Sequence, residues 1–296
     1  MICVTGAGGT LSSEVIQHLE SIGADFRGAY RRKEQVEEAR KKGREAVIMD
    51  YNNMESLKSA FEGCDKIFLL GPNLPNQIEL ELRAVEAAKT AGVSHIVKQS
   101  VMGAMDESYS LAKIHRPVEK AIEASGLDWT FMRPNSFMQN TVTFMGHLIR
   151  TGSVFYSASE NAKISHVDAR DIAAIAAKAL TESGHTGKAY TISGPEALTY
   201  DEIADKMTET LGRKITHVNL SPEELKAGML AEGMPEVIAD RLLDLERYFR
   251  EGKPAVITDT VKEVTGREAN KFSDFIRETA AKGVWDLEIQ LKAAAA

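Results

Sequence analysis

Apolar and polar positions follow two rhythms along the chain. Short β-type apolar runs fall at 1–5, 25–31, 45–50, 66–71, 94–100, 128–133 and 188–193, with amphipathic stretches between them. In 10–22, Leu11, Val15, Ile16, Leu19 and Ile22 share one helical face; 75–91 repeats the pattern with Ile78, Leu82, Val85 and Ala88 and stops at Gly92. Strand–helix alternation of this kind predicts an α/β fold, a doubly wound parallel sheet with helices on both faces. Right-handed crossovers then gather the strand carboxyl ends along one edge, where ligands bind.

The rhythm changes after residue 134. Residues 135–150 are rich in Phe, Met and Thr, while 168–181 reads as a clean helix with Asp168 at its N-cap and Asp171 as a second capping carboxylate. Thr199-Tyr-Asp-Glu202 and Ser221-Pro-Glu-Glu224 both have capping-box spacing, and short strands are expected at 214–218 and 254–257. The expected organisation is a Rossmann domain over 1–134, to which 165–193 returns, and a smaller α-rich substrate lobe over 135–164 and 194–285. Residues 286–296, ending in four alanines, read as a tail.

Composition narrows the partners. A net charge of −7 argues against nucleic acid or an anionic membrane, and no apolar run reaches the roughly 20 residues of a membrane span. Met1 leads straight into the first apolar run, so no signal peptide is expected. Cys3 and Cys64 lie in separate apolar stretches and read as buried free thiols. The expectation is a soluble cytoplasmic protein, monomer or homodimer, acting on a small, largely apolar organic substrate without a metal.

The first apolar run ends in Val4-Thr5-Gly6-Ala7-Gly8-Gly9-Thr10-Leu11-Ser12, and a helix follows at once. Glycines there let the backbone turn tightly and approach a pyrophosphate, whose charge a helix N-terminus stabilises. Thr5, Gly6, Gly8, Gly9, Thr10 and Leu11 are therefore candidate cofactor contacts. Serine stands at position 12, where a third glycine is usual for close helix–strand packing. The second strand leads into Arg31-Arg32-Lys33 rather than a carboxylate. A guanidinium suits a ribose 2′-phosphate, and one charged hydrogen bond of roughly 1.5–3 kcal/mol favours NADP(H) over NAD(H) by one to two orders of magnitude. Arg31 is the candidate contact, with Arg32 beside it.

The string of motifs resembles the NmrA-like branch of the atypical short-chain dehydrogenases/reductases over nearly the whole chain. It runs through Val4-Thr-Gly-Ala-Gly-Gly9, Asp50 with Ser56-Leu57, Gly63 to Pro72, Ala87 to Val93 and Ile96-Val-Lys-Gln-Ser100. Its most specific parts are His115-Arg-Pro-Val-Glu119, Ser125 to Thr130, Arg133-Pro-Asn-Ser-Phe-Met-Gln-Asn140, His166 to Ile172 and Gly194-Pro-Glu196. The resemblance implies a Rossmann core, NADP(H) as cofactor and kinship with quinone reductases and triphenylmethane dye reductases. It also covers NADP-binding regulators without turnover. Asp50, Leu70, Gly71, Pro72, Pro134, Asn135 and Phe137 are the further cofactor contacts that it implies.

Other members of the superfamily carry Tyr-x-x-x-Lys on the helix after the fifth strand, the tyrosine donating a proton. Tyr109-Ser-Leu-Ala-Lys113 has that spacing but falls out of register. The apolar face of this helix is Leu111, Ile114, Val118, Ala121 and Ile122, whereas Lys113, Arg116, Lys120 and Glu123 read as its solvated side. Aligned on Glu119, the family's lysine position is His115 and its tyrosine position Leu111, so the resemblance implies that His115 holds the nicotinamide ribose. Tyr109 stays the lesser candidate for proton donor, and Ser100 the candidate for polarising an acceptor oxygen. Met102, Met105, Phe137, Met138, Phe144 and Met145 form the expected substrate wall. Without the tyrosine, acceptors that take hydride readily are favoured: quinones, cationic dyes, iminium ions and activated alkenes. The alternatives are a non-catalytic NADP(H) sensor, or a nucleotide-sugar epimerase or dehydratase with tyrosine and lysine in productive register.

Overall fold

In the computed structural model, which describes residues 1–286, strands and helices alternate from the first residues. The series is β1 (Ile2–Val4), α1 (Thr10–Ser21), β2 (Phe26–Tyr30), α2 (Lys33–Lys41), β3 (Glu45–Ile48), α3 (Met54–Phe61), β4 (Lys66–Leu69), α4 (Gln77–Thr90), β5 (His95–Gln99), α5 (Ser110–Glu123) and β6 (Asp128–Pro134). Beyond it come α6 (Asn140–Thr143), α7 (Gly146–Gly152), β7 (Val154–Ser157), α8 (Ala169–Thr181), β8 (Lys188–Ile192), α9 (Tyr200–Leu211) and β9 (Thr216–Asn219). The last described elements are α10 (Pro222–Ala231), α11 (Glu236–Arg250), α12 (Thr260–Thr265) and α13 (Phe272–Ala281).

Two compact units result, the first holding 1–134, 169–192 and 260–266 and the second 135–168, 193–259 and 267–286. Residues 165–168 thus join the second unit, and 260–266, expected in the lobe, join the first. The expected tail lies outside the described residues from 287 onward.

In the first unit, seven strands form one parallel sheet in the order β3-β2-β1-β4-β5-β6-β8. The order reverses at β1, whose Ile2 pairs with Phe26 on one side and Lys66 on the other. This is the switch point at whose carboxyl edge open α/β sheets bind ligands. All five residues of β5 are buried, as a central strand covered on both faces requires. Alanines at 173, 174, 176 and 177 let α8 pack tightly, and the ring of His18 on α1 reaches the Arg170 carbonyl at 3.2 Å. Pro117 cannot donate to the carbonyl of Lys113, so the hydrogen-bond ladder of α5 is broken two residues past His115.

In the second unit, β7 and β9 pair in parallel, Val154 opposite Thr216 through Ser157 opposite Asn219. A four-residue strand such as β7 is too short to show alternation, and it was not expected. Both capping boxes are formed: the Thr199 and Ser221 side chains accept from the backbone N–H of Glu202 and Glu224, whose carboxylates bond back. The strand expected at 254–257 is instead a turn of 3-10 helix at Lys253–Ala255. Gly252 precedes it at φ +75, and Pro254 has no N–H for a ladder. Among the described residues no helix is long and apolar enough to cross a membrane.

Candidate functional site

The glycine loop joins β1 to α1 at the switch point. Gly6 stands at φ +60, where glycine is unstrained, and its carbonyl accepts from Gly9 N at 2.8 Å. The amide of Gln35 fills the space beside Gly8, so a β-carbon there would collide with it. Helix α1 begins with no side-chain cap and no acidic residue in its first turn. Its first N–H groups and the positive end of its dipole are therefore available to an anion. Ser12 is wholly buried, and its Oγ donates to the Thr5 carbonyl at 2.8 Å, so the helix stays close to the strand with the hydroxyl satisfied.

Arg31 and Arg32 follow β2 and are exposed. Among the described residues neither guanidinium has a hydrogen-bond or ion-pair partner. Their neighbours are committed: Arg27 to Glu45, Arg40 to the Ala46 carbonyl, and Arg44 to Glu20. An uncapped helix start and free guanidiniums at the next strand end fit a dinucleotide carrying a further phosphate on its ribose. Asp50 is also exposed, and its Oδ1 accepts from Asn52 N at 2.9 Å.

The Thr5 hydroxyl accepts from Leu70 N at 2.8 Å and lies 3.0 Å from the Phe68 carbonyl, so it ties β1 to the end of β4. With its hydroxyl spent in this way, the Thr5 side chain shapes the loop. Tyr51 donates to the Leu70 carbonyl at 2.8 Å, and burial raises its pKa, keeping the phenol protonated. The Leu70-Gly71-Pro72 turn is half-buried. Gly71 faces α4, where the Glu81 carboxylate occupies the place of any β-carbon.

Behind that turn lies a buried polar chain. The side chain of Lys98, on β5, is 0% exposed, and its Nζ contacts Glu81 Oε2, the Gln99 carbonyl at 2.9 Å and His115 Nδ1 at 3.2 Å. Glu81 Oε1 accepts from Gln77 Nε2 at 3.0 Å. Burial, and then the Lys98 charge, hold the His115 pKa well below its ordinary range, so the ring is neutral. Among the described residues its Nε2 makes no hydrogen bond.

A second cluster braces the ends of β5 and β6. Glu119, wholly buried, accepts from Ser100 Oγ at 2.7 Å, Arg116 at 3.0 Å, and the Arg133 fork at 2.9 and 2.7 Å. Burial raises the Glu119 pKa, but the bonds from Arg133 and Ser100 outweigh it and hold the carboxyl below its usual value. Two expectations are corrected here. Ser100 is wholly buried and its hydroxyl is spent on Glu119, so it is not placed to polarise an acceptor. Arg116 is buried between Glu119 and Glu123, because two carboxylates recruit its guanidinium from solvent.

The remaining candidates are dispersed. In the first unit, Tyr109 is buried at the N-cap of α5 and Pro134 at the end of β6. Met102 is buried, its N–H donating to the Pro134 carbonyl, whereas Met105 is 59% exposed. In the second unit, Asn135 is buried and spends its amide on Ser165 Oγ, the Pro254 carbonyl and Ser136 N. Phe137 is half-buried in a bridge to Val167, Met145 is half-buried, and Phe144 is 65% exposed. Met138 is completely buried, a core side chain rather than a wall, because its backbone N–H is drawn in to the Val167 carbonyl. Asp168 accepts from Gln139 at 2.8 Å. Lys98, Glu81, Gln77 and Gln35 were missed; the available signal was a lysine inside a central strand that must be covered on both faces.

Comparison with known proteins agrees with this arrangement. Residues 1–277 match the model of the NmrA-like family. The chain is 35% identical to the NAD(P)H azoreductase of Xenophilus azovorans, with 95% of this chain and 98% of that protein covered. It is 30% identical to quinone oxidoreductase 2 of Escherichia coli K12, with 93% and 97% covered. The NADPH complex of the Escherichia coli quinone oxidoreductase superposes with a TM-score of 0.86 at 27% identity, covering 94% of this chain and 99% of that one. Citrobacter triphenylmethane reductase complexed with NADP(H) follows at 0.82 and 28%, covering 94% and 99%.

Proposed function

The chain belongs to the NmrA-like family, and from that premise we propose that it is an NADPH-dependent reductase of small conjugated or cationic acceptors: quinones, dyes, iminium ions or activated alkenes. The observation that carries this reading is the pairing of an uncapped α1 N-terminus with two guanidiniums at the end of β2 that have no partner among the described residues. Similarity to an azoreductase, a quinone oxidoreductase and a dye reductase supports the same class of acceptor.

When bound, NADPH supplies a hydride. The N–H groups of Thr10 and Leu11, at the start of α1, would hold the pyrophosphate, and Arg31, with Arg32, would hold the 2′-phosphate. His115, its ring neutral, would face the nicotinamide ribose. The Ser100 hydroxyl is spent on Glu119, and Leu111 stands where the superfamily has its tyrosine. Acceptors that need no strong side-chain acid are therefore the ones this site serves, since alignment in a dry pocket suffices for them.

The test is steady-state NADPH oxidation by the purified protein with a panel of quinones, triphenylmethane dyes, azo dyes and enones. Turnover with several members is expected. NADPH binding without turnover of any would replace the reductase with a redox sensor.

A further inference from the structure

The Lys98 ammonium has three N–H groups and three partners: the Glu81 carboxylate, the Gln99 carbonyl and His115 Nδ1. An ammonium can only donate. Each partner must therefore accept, so Nδ1 of His115 carries no proton and the ring proton sits on Nε2. We propose that Lys98 is a positioning residue that locks His115 as the neutral Nε2–H tautomer, and that Glu81 and Gln77 hold Lys98 in place to do so.

This deepens the proposed function and rests on it for the identity of what His115 meets. Nε2 has no partner among the described residues, so its proton is left for a ribose hydroxyl or an acceptor oxygen. A neutral donor there adds no positive charge beside a nicotinamide that becomes cationic on giving up hydride. The cation stands one residue further back, balanced by Glu81, and both side chains are shut off from water. The charge acting on the ring is that of Lys98 from β5, and Glu81 from α4 is bonded to Lys98 behind it. On α5 itself, Arg116 is paired with Glu119 and Glu123, and Glu119 also with Arg133, so Lys98 sets the tautomer. Removing one partner of a buried pair leaves the other uncompensated; removing both is better tolerated, which gives a usable variant.

The experiment is nitrogen-15 NMR of the histidine rings in the full-length protein without cofactor, from about pH 5 to about pH 9. The expected result is a His115 ring in the Nε2–H form that does not titrate across this range. In the double variant Glu81→Gln/Lys98→Met, the ring should exchange tautomers and titrate closer to 6.5, with the KM for NADPH rising about tenfold and kcat changing less. An Nε2–H ring in the wild-type protein supports the proposal whether or not NADPH is turned over. An Nδ1–H ring, or one that titrates near 6.5 in the wild type, overturns it even in a fully active enzyme.

Discussion

Gly71 and Glu81 compete for one volume: the Glu81 carboxylate lies inside van der Waals contact of the place where a β-carbon on residue 71 would stand. The glycine is thus required by a side chain on α4 rather than by its own backbone, which is not left-handed. Gly71→Ala should push Glu81 away from Lys98 and cost about 1–3 kcal/mol, as overpacking of a filled interior does. Urea unfolding of the variant measures this. Unchanged stability would mean that the Glu81 side chain moves aside freely.

The two free guanidiniums after β2 make a separable prediction about the coenzyme. Arg31→Gln should weaken NADPH binding by about ten- to a hundredfold, the worth of one charge-assisted hydrogen bond. NADH has no 2′-phosphate, and its affinity should stay within about twofold of the wild type. Calorimetry with both coenzymes on wild type and variant checks the difference. Equal losses would place the phosphate elsewhere.

What the chain reveals before folding depends on how local the cause is. The seven sheet strands, the glycine loop and the boxes at Thr199 and Ser221 are each written in a few neighbouring residues, and all are where the pattern puts them. The Lys98 network is written across the chain: Glu81 and His115 each lie 17 residues from Lys98, on different helices. No periodicity joins them, and only the parallel crossovers bring the three together. Arg116 was misplaced for the same reason. Helical spacing puts its charge on the solvated side, but Glu119, the buried carboxylate that draws it inward, is itself held by Arg133 from β6 and Ser100 beyond β5.

Glu119 is the residue on which the ends of β5 and β6 depend. Glu119→Gln keeps the shape but removes the charge facing Arg116 and Arg133, which should cost about 3 kcal/mol. The wild-type carboxyl has a folded pKa below its unfolded value of 4.5. Its stabilisation is therefore present above pH 4.5 and is lost as pH falls through the folded value. Denaturant midpoints at neutral and acidic pH should show the gap between variant and wild type narrowing in acid. A gap that stays constant would show that the carboxylate charge contributes nothing.

His166, buried in the second unit near Tyr200 and Phe272, acts in the same direction but over a higher pH window. Burial pushes its pKa down to about 4 from 6.5. Below pH 6.5 the unfolded chain gains a proton that the folded ring refuses, so stability falls as pH drops from 6.5 to about 4 and then levels off. The loss across that window is about 3 kcal/mol if the ring stays neutral throughout. Replacing the imidazole by a group that cannot titrate, His166→Gln, should flatten the stability profile between these limits by that amount, whatever constant offset the substitution itself brings. Urea unfolding at closely spaced pH values separates slope from offset. A variant whose profile runs parallel to the wild type would show that the ring is protonated while the chain is folded, and that the core of the second unit opens to water in mild acid.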